Sequence, residues 1–312
     1  MENKNIDEIY DVVIIGSGPS GIAAGIYAER AKLKTVTIEK QYMSGGQILN
    51  TYEVDNYPGL PGINGFDMGV KFKEHAQKLG VNFVTDEVLD LEIMENIKKV
   101  NCKKNTFLTR TIIIATGAQH RLLDVKGEQD LYGKGVSYCA TCDGAFYKEK
   151  TVAVVGGGDV ALEDAIFLSR LCKKVYLIHR RNEFRGAKIL QEKVFSIENI
   201  EIIWDTVVTE IKGDKEVTAL DIKNVKTEEN KEIELDGVFV AIGIIPNSHI
   251  FESHLALDDG NYIIANEDCK TSVEGVFVAG DVRTKALRQI VTAVSDGANA
   301  ITSVEKYLAM NF

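Results

Sequence analysis

The chain reads DVVIIGSGPSGIAAGIYAERAKLKTVTIEK from Asp11 to Lys40, and this stretch dictates its architecture. A short β-branched run is followed by a turn with three glycines, then by apolar residues spaced three to four apart, then by a second apolar run. This order predicts a strand, a glycine turn, a helix and a strand, the start of a βαβ unit with a parallel sheet. The pattern occurs twice, because Thr151–Arg180, TVAVVGGGDVALEDAIFLSRLCKKVYLIHR, aligns with the first copy without a gap.

The glycines in each copy have a specific physical purpose. The first permits a tight turn, the second lets the backbone approach a pyrophosphate, and the third, or an alanine, lets the helix pack close to the strand. The helix N-terminus then offers free N–H groups and a positive dipole end to the phosphates. We therefore expect one dinucleotide at each turn. The residues expected at the first turn are Gly16, Ser17, Gly18, Pro19, Ser20 and Gly21, and those at the second are Gly156, Gly157, Gly158 and Asp159.

The end of the second strand distinguishes the two ligands. In the first copy this place holds Glu39, followed by Lys40, and a carboxylate here accepts the 2′-hydroxyl of an unphosphorylated ribose. In the second copy cationic residues replace the carboxylate, which suits a 2′-phosphate. The first site is therefore predicted to bind FAD, with NAD as the alternative, and the second NADPH. The cationic group comprises His179, Arg180, Arg181 and Arg185, and the alternative interpretation is a solvated charged surface.

The two units are predicted to be nested Rossmann-like domains of three layers. Apolar runs that contain glycine, Thr111–Ala118 and Gly237–Pro246, flank the second copy, and a further strand, Gly275–Asp281, follows it. The simplest arrangement is an α/β protein whose second domain is inserted into its first. The predicted bounds are 1–117 plus 245–312 for the FAD-binding domain and 118–244 for the NADPH-binding domain.

Smaller elements are predicted around these units. Val81–Arg110 and Ile200–Leu235 alternate short apolar and polar runs, which indicates a small antiparallel sheet appended to each unit. Asn50–Phe66 is rich in glycine, proline and asparagine and is predicted to be a loop. Leu287–Leu308 has the apolar spacing of a helix.

Composition narrows the class of protein. The 312 residues are 45% hydrophobic and 26% charged, which is globular composition with ample material for a core. The net charge of −10 argues against a nucleic-acid binder and against an anionic membrane surface. Residues Met1–Tyr10 are polar and acidic and do not resemble a secretory signal. An odd count of five cysteines predicts a cytoplasmic enzyme whose thiols are reduced unless one pair is catalytic.

One cysteine pair is predicted to carry the chemistry. Cys139 and Cys142 form a C-x-x-C, a spacing that closes a small disulfide ring and lowers one thiol pKa, which makes a redox couple. Asp143 follows directly and could serve as general acid and base for a departing thiolate. Half of a zinc site with His249 and His254, or a plain pair of buried thiols, is the alternative, and no metal is expected. The remaining cysteines, which are predicted to be core or unremarkable surface residues, are Cys102, Cys172 and Cys269.

The motifs taken together resemble the bacterial-type, low-molecular-weight thioredoxin reductases. The resemblance covers the whole chain in order, and it implies a homodimeric FAD enzyme. Such an enzyme passes electrons from NADPH through the flavin to the Cys139–Cys142 disulfide and then to thioredoxin. Besides the two repeats, the matching segments are CATCDG at 139–144, HRRNEFR at 179–185, SGGQ at 44–47, VDNYPG at 54–59 and GDVRTKALRQIVTAVSDG at 280–297.

The resemblance also implies roles for single residues. Glu39 would hold the adenosine ribose of FAD, and Asp281 would accept a hydrogen bond from a ribityl hydroxyl. Arg288 and the helix dipole would favour the anionic reduced flavin. The family's rotation of the NADPH domain implies hinges near Gly117 and Gly243. The other residues predicted to bind cofactor on the flavin side are Gly46, Gln47, Asn56, Thr116, Gly117, Gly280 and Gln289.

Other functions are also compatible with these motifs. A related flavoprotein reductase could use ferredoxin as donor or another dithiol acceptor, of the peroxiredoxin or glutaredoxin kind. The cluster at 179–185 argues against ferredoxin, and the intact cysteines argue against a non-catalytic nucleotide sensor. Asp159–Val160 depart from the small polar pair that the family more often has, and Asp159 could cap its helix while adding negative charge near a phosphate.

Overall fold

The computed structural model describes residues 8–51, 54 and 56–312. The chain divides into two compact units, and the first comprises the chain up to Thr51 together with 63–119 and 245–312. The second comprises 120–244 together with the segment 52–62. This division differs from the sequence-based bounds at residues 118–119, which fall in the first unit, and at the segment 52–62, of which residues 52, 53 and 55 lie outside the described residues.

The described residues form seventeen strands and six α-helices. The strands of the N-terminal half are β1 (Ile9–Ile15), β2 (Thr35–Glu39), β3 (Phe83–Thr85), β4 (Val88–Ile93), β5 (Lys98–Cys102), β6 (Thr106–Ile114), β7 (Ala118–His120), β8 (Val136–Ser137) and β9 (Thr151–Gly156). The later strands are β10 (Lys174–Ile178), β11 (Ile200–Ile203), β12 (Thr206–Gly213), β13 (Val217–Asn224), β14 (Asn230–Glu234), β15 (Gly237–Ala241), β16 (Ile244–Pro246) and β17 (Val276–Val278). The helices are α1 (Pro19–Arg30), α2 (Gly65–Lys78), α3 (Ala140–Asp143), α4 (Asp159–Ser169), α5 (Lys188–Phe195) and α6 (Ile290–Asn311).

The first unit is built on a seven-stranded sheet. Its parallel part runs β3-β2-β1-β6, and β17 pairs in parallel with the end of β6. The strands β5 and β4 extend the same sheet in antiparallel fashion from the first half of β6. The antiparallel strands predicted within Val81–Arg110 therefore continue the main sheet, because β6 is long enough to pair with β5 and with β17 in turn.

Both faces of this sheet are covered, as its near-continuous apolar strands require. Val12 and Ile14 of β1 face one side, where they pack with Ala24 of α1 and Ile301 of α6. Val13 and Ile15 face the other side and join a separate apolar cluster. The sheet is therefore the middle of three layers, and α1 and α6 lie together on one of its faces.

The second unit repeats the parallel order of the first. Its five-stranded sheet runs β11-β10-β9-β15-β8, and every pairing is parallel. A separate antiparallel sheet contains β12, β13 and β14. Within the predicted appendage Ile200–Leu235, the first run is thus part of the parallel sheet, since β11 pairs with β10. The α/β class with two Rossmann-like units is confirmed.

The two junction segments are not continuous strands, and each contains a break at a glycine near which the family resemblance implies a hinge. The run Thr111–Ala118 ends as a strand at Ile114, and the run Gly237–Pro246 ends at Ala241 before it resumes as β16. Gly117 (φ +67°) and Gly243 (φ +113°) lie in these breaks with left-handed backbone. After the breaks, β7 and β16 pair as a two-stranded sheet.

The C-terminal helix begins three residues later than predicted, at Ile290, and continues to Asn311. It packs tightly on α1, because a Cβ at Gly297 would lie 2.2 Å from the carbonyl oxygen of Ser20. Among the described residues, no helix is long and apolar enough to cross a bilayer.

Candidate active site

The first glycine turn links β1 to α1. Gly16 has φ +105°, and a Cβ there would lie 2.4 Å from the carbonyl oxygen of Ala115, so only glycine fits. Gly18 is the N-cap of α1, no side chain caps this helix, and a Cβ at Gly18 would meet nothing within 4 Å. Ser17 and Ser20 are buried within the turn. The uncapped N–H groups of α1 thus lie beside open space, as a bound pyrophosphate requires.

Glu39 ends β2, and its carboxylate is anchored to the same turn. Its Oε2 accepts hydrogen bonds from N and Oγ of Ser17 at 2.8 and 2.9 Å, and its Oε1 accepts from N of Gln41 at 2.9 Å. A carboxylate has about four lone-pair sites, so one more donor, such as a ribose hydroxyl, can be accepted. Lys40 is exposed beside it.

Two loop segments lie against this turn. Gly45 donates from N to the carbonyl oxygen of Ser17 at 2.8 Å, and a Cβ at Gly46 would lie 3.4 Å from Cα of Gly18. Gln47 donates from Nε2 to the carbonyl oxygen of Ala118 at 2.5 Å. The segment 45–47 therefore connects the glycine turn with the segment that follows β6.

Asn247 is a residue of this region that sequence reasoning missed. Its Nδ2 donates to the carbonyl oxygen of Thr116 at 2.9 Å, and its N donates to the carbonyl oxygen of Gly117 at 3.0 Å. Thr116 in turn donates from Oγ1 to the carbonyl oxygen of Asn247 at 2.8 Å. This reciprocal pairing fixes Thr116 and Gly117, and its only sequence signal is an asparagine directly after the end of an apolar run.

Asp281 follows β17 and carries a buried, unsatisfied oxygen. Its Oδ1 has no hydrogen-bond partner among the described residues. Burial raises the pKa of Asp281, while Lys285 and Arg288 oppose that rise. A buried carboxylate oxygen without a donor is expected to be satisfied by a ligand, and a ribityl hydroxyl is a suitable donor.

Next to Asp281 lies a buried charge cluster that we define as Arg283, Lys285 and Asp296. Arg283 donates from Nε and Nη2 to the two carboxylate oxygens of Asp296 at 2.9 and 2.7 Å, and Lys285 donates from Nζ at 2.8 Å. Asp296 also accepts from N of Gly280 at 2.9 Å. This cluster fixes the backbone immediately before Asp281, and the sequence analysis did not single out its members.

Arg288 and Gln289 lie at the start of α6. The Arg288 guanidinium stacks over the ring of Tyr262 at 4.0 Å. Its Nε lies 3.5 Å from the carbonyl oxygen of Asp281, so the residue is held beside Asp281. Gln289 is the N-cap of α6, and its N donates to Oγ1 of Thr292 at 3.1 Å.

The second glycine turn, between β9 and α4, repeats the open helix N-terminus of the first. Gly158 is the N-cap, no side chain caps α4, and a Cβ at Gly158 would meet nothing within 4 Å. Asp159 does not cap its own helix, because its Oδ1 accepts instead from N of Ala187 at 2.7 Å. Asp159 therefore ties the chain that follows the arginines to the start of α4.

His179 differs in burial from the three arginines of the predicted cationic group. Its side chain is buried with 6% exposure, and a Cβ at Gly157 would lie only 2.3 Å from its ring, so the imidazole packs on that glycine. Burial lowers its pKa, and Arg185 and Arg181 lower it further. The neutral imidazole keeps Nε2 buried without a partner among the described residues.

The three arginines, in contrast, are exposed on a firmly anchored loop, residues 180–186. Arg185 donates from N to the carbonyl oxygen of Gly157 at 2.8 Å, and Asp205 donates from N to the carbonyl oxygen of Arg181 at 3.2 Å. Phe184 points inward with 7% exposure and packs 4.3 Å from the ring of Trp204. The loop is thus held at both ends and in its middle, while its guanidinium groups remain free to reach a phosphate.

The cysteine pair lies in the second unit, at the end of β8. Cys139 and Cys142 form a disulfide with their Cα atoms 5.3 Å apart. Cys139 is the N-cap of the four-residue helix α3, which contains Cys142. Both residues are half-buried, so the disulfide is accessible in part.

Asp143, the last residue of α3, has the environment of an acid that can hold a proton. Burial raises its pKa, and a hydrogen bond from Ser137 acts in the opposite direction. Its Oδ1 is buried without a partner among the described residues, whereas Oδ2 accepts from Oγ of Ser137 at 2.5 Å. A carboxyl group next to a disulfide with these properties is suited to protonate a departing thiolate.

The remaining residues considered in the sequence analysis are Asn56 and the three other cysteines. Asn56 is exposed in the segment 56–62. Cys172 and Cys269 are buried and Cys102 is half-buried, and burial raises the pKa of Cys172 to about 11 and of the other two to about 12. Their thiols therefore stay protonated near neutral pH. Within the described part of the chain, no group of three or more histidine, cysteine, aspartate or glutamate residues is arranged to hold a metal ion.

Residues 10–297 match the family described as pyridine nucleotide-disulphide oxidoreductase. The thioredoxin reductase of Peptoclostridium acidaminophilum is 46% identical over 314 residues, which span 98% of this chain and 99% of that protein. The chain belongs to the thioredoxin reductases of this family. The crystal structure of the thioredoxin reductase from Streptococcus pyogenes MGAS5005 is 42% identical, covers 97% of this chain and 99% of its own, and superposes with a TM-score of 0.92.

A third relative bears on the choice of electron donor. The ferredoxin-flavin thioredoxin reductase from Clostridium acetobutylicum is 32% identical, covers 96% of this chain and 99% of its own, and has a TM-score of 0.53. The resemblance to thioredoxin reductases is thus confirmed over nearly the whole chain, and the protein is an oxidoreductase. Membership of this family implies a flavin and a nicotinamide cofactor.

Proposed function

We propose that this thioredoxin reductase uses FAD and NADPH to reduce the disulfide of thioredoxin, and that it works as a homodimer in the cytoplasm. The observation that carries the proposal is a half-buried Cys139–Cys142 disulfide followed directly by Asp143, an acid with one buried carboxyl oxygen. It lies in the unit that also presents three arginines beside an uncapped helix N-terminus.

The first unit fits FAD. The open N-terminus of α1 suits the pyrophosphate, and Glu39 retains capacity for a ribose hydroxyl. The unpartnered Oδ1 of Asp281 supplies the acceptor for a ribityl hydroxyl. Arg288 beside it provides positive charge for an anionic reduced flavin.

The second unit fits NADPH. The open N-terminus of α4 suits the pyrophosphate. Arg180, Arg181 and Arg185 are exposed, and guanidinium groups bind phosphate with two hydrogen bonds each. A 2′-hydroxyl has no carboxylate partner at this place, because His179 stands where the first unit has Glu39.

Cys139, Cys142 and Asp143 carry out the disulfide exchange with thioredoxin. When bound beside the arginines of the second unit, the nicotinamide nucleotide would supply a hydride, and FAD at the first glycine turn would supply the two-electron redox chemistry that the disulfide requires. One of the resulting thiolates attacks a sulfur of the thioredoxin disulfide, and Asp143 delivers a proton to the sulfur that departs.

The homodimer and the cytoplasmic location are inferred from features outside the two nucleotide sites. The homodimer follows the family resemblance, and sedimentation should give about twice the 34.4 kDa of one chain. The cytoplasmic assignment is consistent with three further cysteines that remain unpaired, because free thiols persist in a reducing compartment.

The experiment that tests the cofactors is an anaerobic visible titration of the flavin-loaded enzyme with NADPH and, separately, with NADH. We expect NADPH to bleach the flavin band at near-stoichiometric amounts and NADH to require at least tenfold more. The Clostridium acetobutylicum relative makes ferredoxin the second candidate donor. Bleaching by reduced ferredoxin but by neither nucleotide would favour that candidate, and absence of flavin after addition of FAD would contradict the first-site assignment.

A further inference from the structure

Ser137 connects the disulfide loop to Asp143. It ends β8, and its side chain is 2% exposed. Its Oγ donates to Oδ2 of Asp143 at 2.5 Å and accepts from N of Cys139 at 3.1 Å. A hydroxyl has one hydrogen and two lone pairs, so both bonds can exist at once. A hydrogen bond from a hydroxyl to a carboxyl group is strongest when the carboxyl group is ionised, because the bond is then charge-assisted.

Few other groups stabilise the ionised form of the Asp143 carboxyl group. Its Oδ1 is buried without a partner, and no lysine, arginine or histidine within the described residues forms an ion pair with it. In the disulfide state, the ionisable groups that its negative charge affects are Tyr132 and Tyr147, because burial and then that charge raise the pKa of each phenol. After reduction, the thiols of Cys139 and Cys142 are two further ionisable groups of the same short segment. Both phenols are therefore neutral near pH 7, and Ser137 is the group that stabilises the ionised carboxylate.

We propose that Ser137 is a positioning residue for the reaction with thioredoxin. It fixes Oδ2 of Asp143, and the hydrogen bond that it donates there sets the pH above which the exchange slows. The inference rests on the proposed function, because it needs Asp143 to act as the acid.

The exchange step balances with Ser137 in this role. A cysteine thiolate of the enzyme forms a bond to one thioredoxin sulfur, and the thioredoxin S–S bond breaks with its electron pair on the other sulfur. That sulfur takes the proton from the carboxyl group of Asp143 and becomes a thiol. Asp143 is left as a carboxylate, which accepts the Ser137 hydrogen bond in its stronger, charge-assisted form.

The Ser137 hydroxyl is expected to lower the pH at which the exchange with thioredoxin begins to slow. A hydrogen bond donated to the charged form lowers the pKa of a carboxyl group, so loss of the hydroxyl raises the pKa of Asp143. The acid must be protonated to act, and the exchange therefore slows as pH rises through this pKa. Without Ser137 the alkaline decline must move to higher pH, even though the lost bond to Cys139 lowers the rate at every pH.

The experiment measures kcat/KM for thioredoxin from pH 5 to pH 10 with the flavin-loaded enzyme and saturating NADPH. We expect Ser137→Ala to move the alkaline decline upward by about one pH unit and Ser137→Thr, which keeps the hydroxyl, to leave it in place. Tyr138→Phe is the matched control, because it removes the neighbouring hydroxyl, which donates to Glu128 at 2.8 Å and not to Asp143. Asp143→Asn should abolish the decline.

The possible results test three separate statements: that Ser137 positions Asp143, that Asp143 is the acid, and that the enzyme reduces thioredoxin. A Ser137→Ala enzyme that is slower but declines at the wild-type pH would overturn the positioning role. An unchanged decline in Asp143→Asn would show that Asp143 is not the acid, and the inference about Ser137 would be lost with it. Failure of the wild-type enzyme to reduce thioredoxin, while NADPH still bleaches the flavin, would contradict the proposed function itself. Bound flavin and the thermal midpoint of each variant show whether it has folded.

Discussion

Arg180, Arg181 and Arg185 differ from His179 in exposure, although one short motif contains all four. His179 is covered because Gly157 has no side chain and leaves room for the imidazole. The arginines follow on a loop that Phe184 anchors against Trp204. Discrimination between the two nicotinamide nucleotides is therefore expected to depend on the arginines, with His179 and Phe184 supporting the loop from inside.

Replacement of Arg180 and Arg181 by alanine should weaken binding of the 2′-phosphate selectively. Each charge-assisted contact contributes about 1.5–3 kcal/mol, so we expect KM for NADPH to rise at least tenfold while KM for NADH changes less than twofold. Steady-state kinetics with both nucleotides check this expectation. Lys193→Ala, which removes an exposed cation from α5 in the same unit, is the control. An unchanged NADPH/NADH ratio in the double variant would refute the 2′-phosphate assignment.

At the scale of elements, α6 and the segment after β17 are joined by buried charges. The side chains of Arg283, Lys285 and Asp296 are 3%, 6% and 4% exposed. Burial alone would raise the pKa of Asp296, but the hydrogen bonds from Arg283 and Lys285 outweigh it and lower the pKa. The ionised carboxylate is therefore part of the folded state, and it holds the start of α6 against Gly280.

Asp296→Asn should destabilise the first unit by about 3 kcal/mol, because removal of one partner leaves buried cations uncompensated. Since the folded-state pKa is depressed, the stabilisation is fully present above the unfolded value of about 4 and is lost as pH falls through the folded value. Urea unfolding of the flavin-loaded enzyme between pH 3 and pH 7 measures both effects. The variant should lose part of the acid dependence, and Asp259→Asn, an exposed carboxylate in the same unit, should not. Equal stability of the two variants would contradict this role.

At the scale of the whole molecule, the sequence predicted the structural features that depend on short local patterns. The glycine turns, the strands beside them and the C-x-x-C are local patterns, and each appears where its spacing predicts. The role of Asn247 could not be predicted, because its hydrogen bonds join it to Thr116 and Gly117, far away in the sequence. Arg283, Lys285 and Asp296 lie within one short segment, but their spacing does not show that the three charges are buried together. Ser137 lies six residues before Asp143, yet its contact depends on how α3 turns back toward β8. The burial of His179 likewise follows from packing and not from the motif itself.

The central claim is that electrons from NADPH reach the Cys139–Cys142 disulfide. The most direct measurement treats the flavin-loaded enzyme with NADPH under anaerobic conditions, alkylates it under denaturing conditions, and maps the modified cysteines by mass spectrometry. Cys102, Cys172 and Cys269 are unpaired and serve as internal references, because they should be labelled equally with and without NADPH. We predict that Cys139 and Cys142 become labelled only after NADPH is added. A bleached flavin with the Cys139–Cys142 disulfide still intact would contradict the claim.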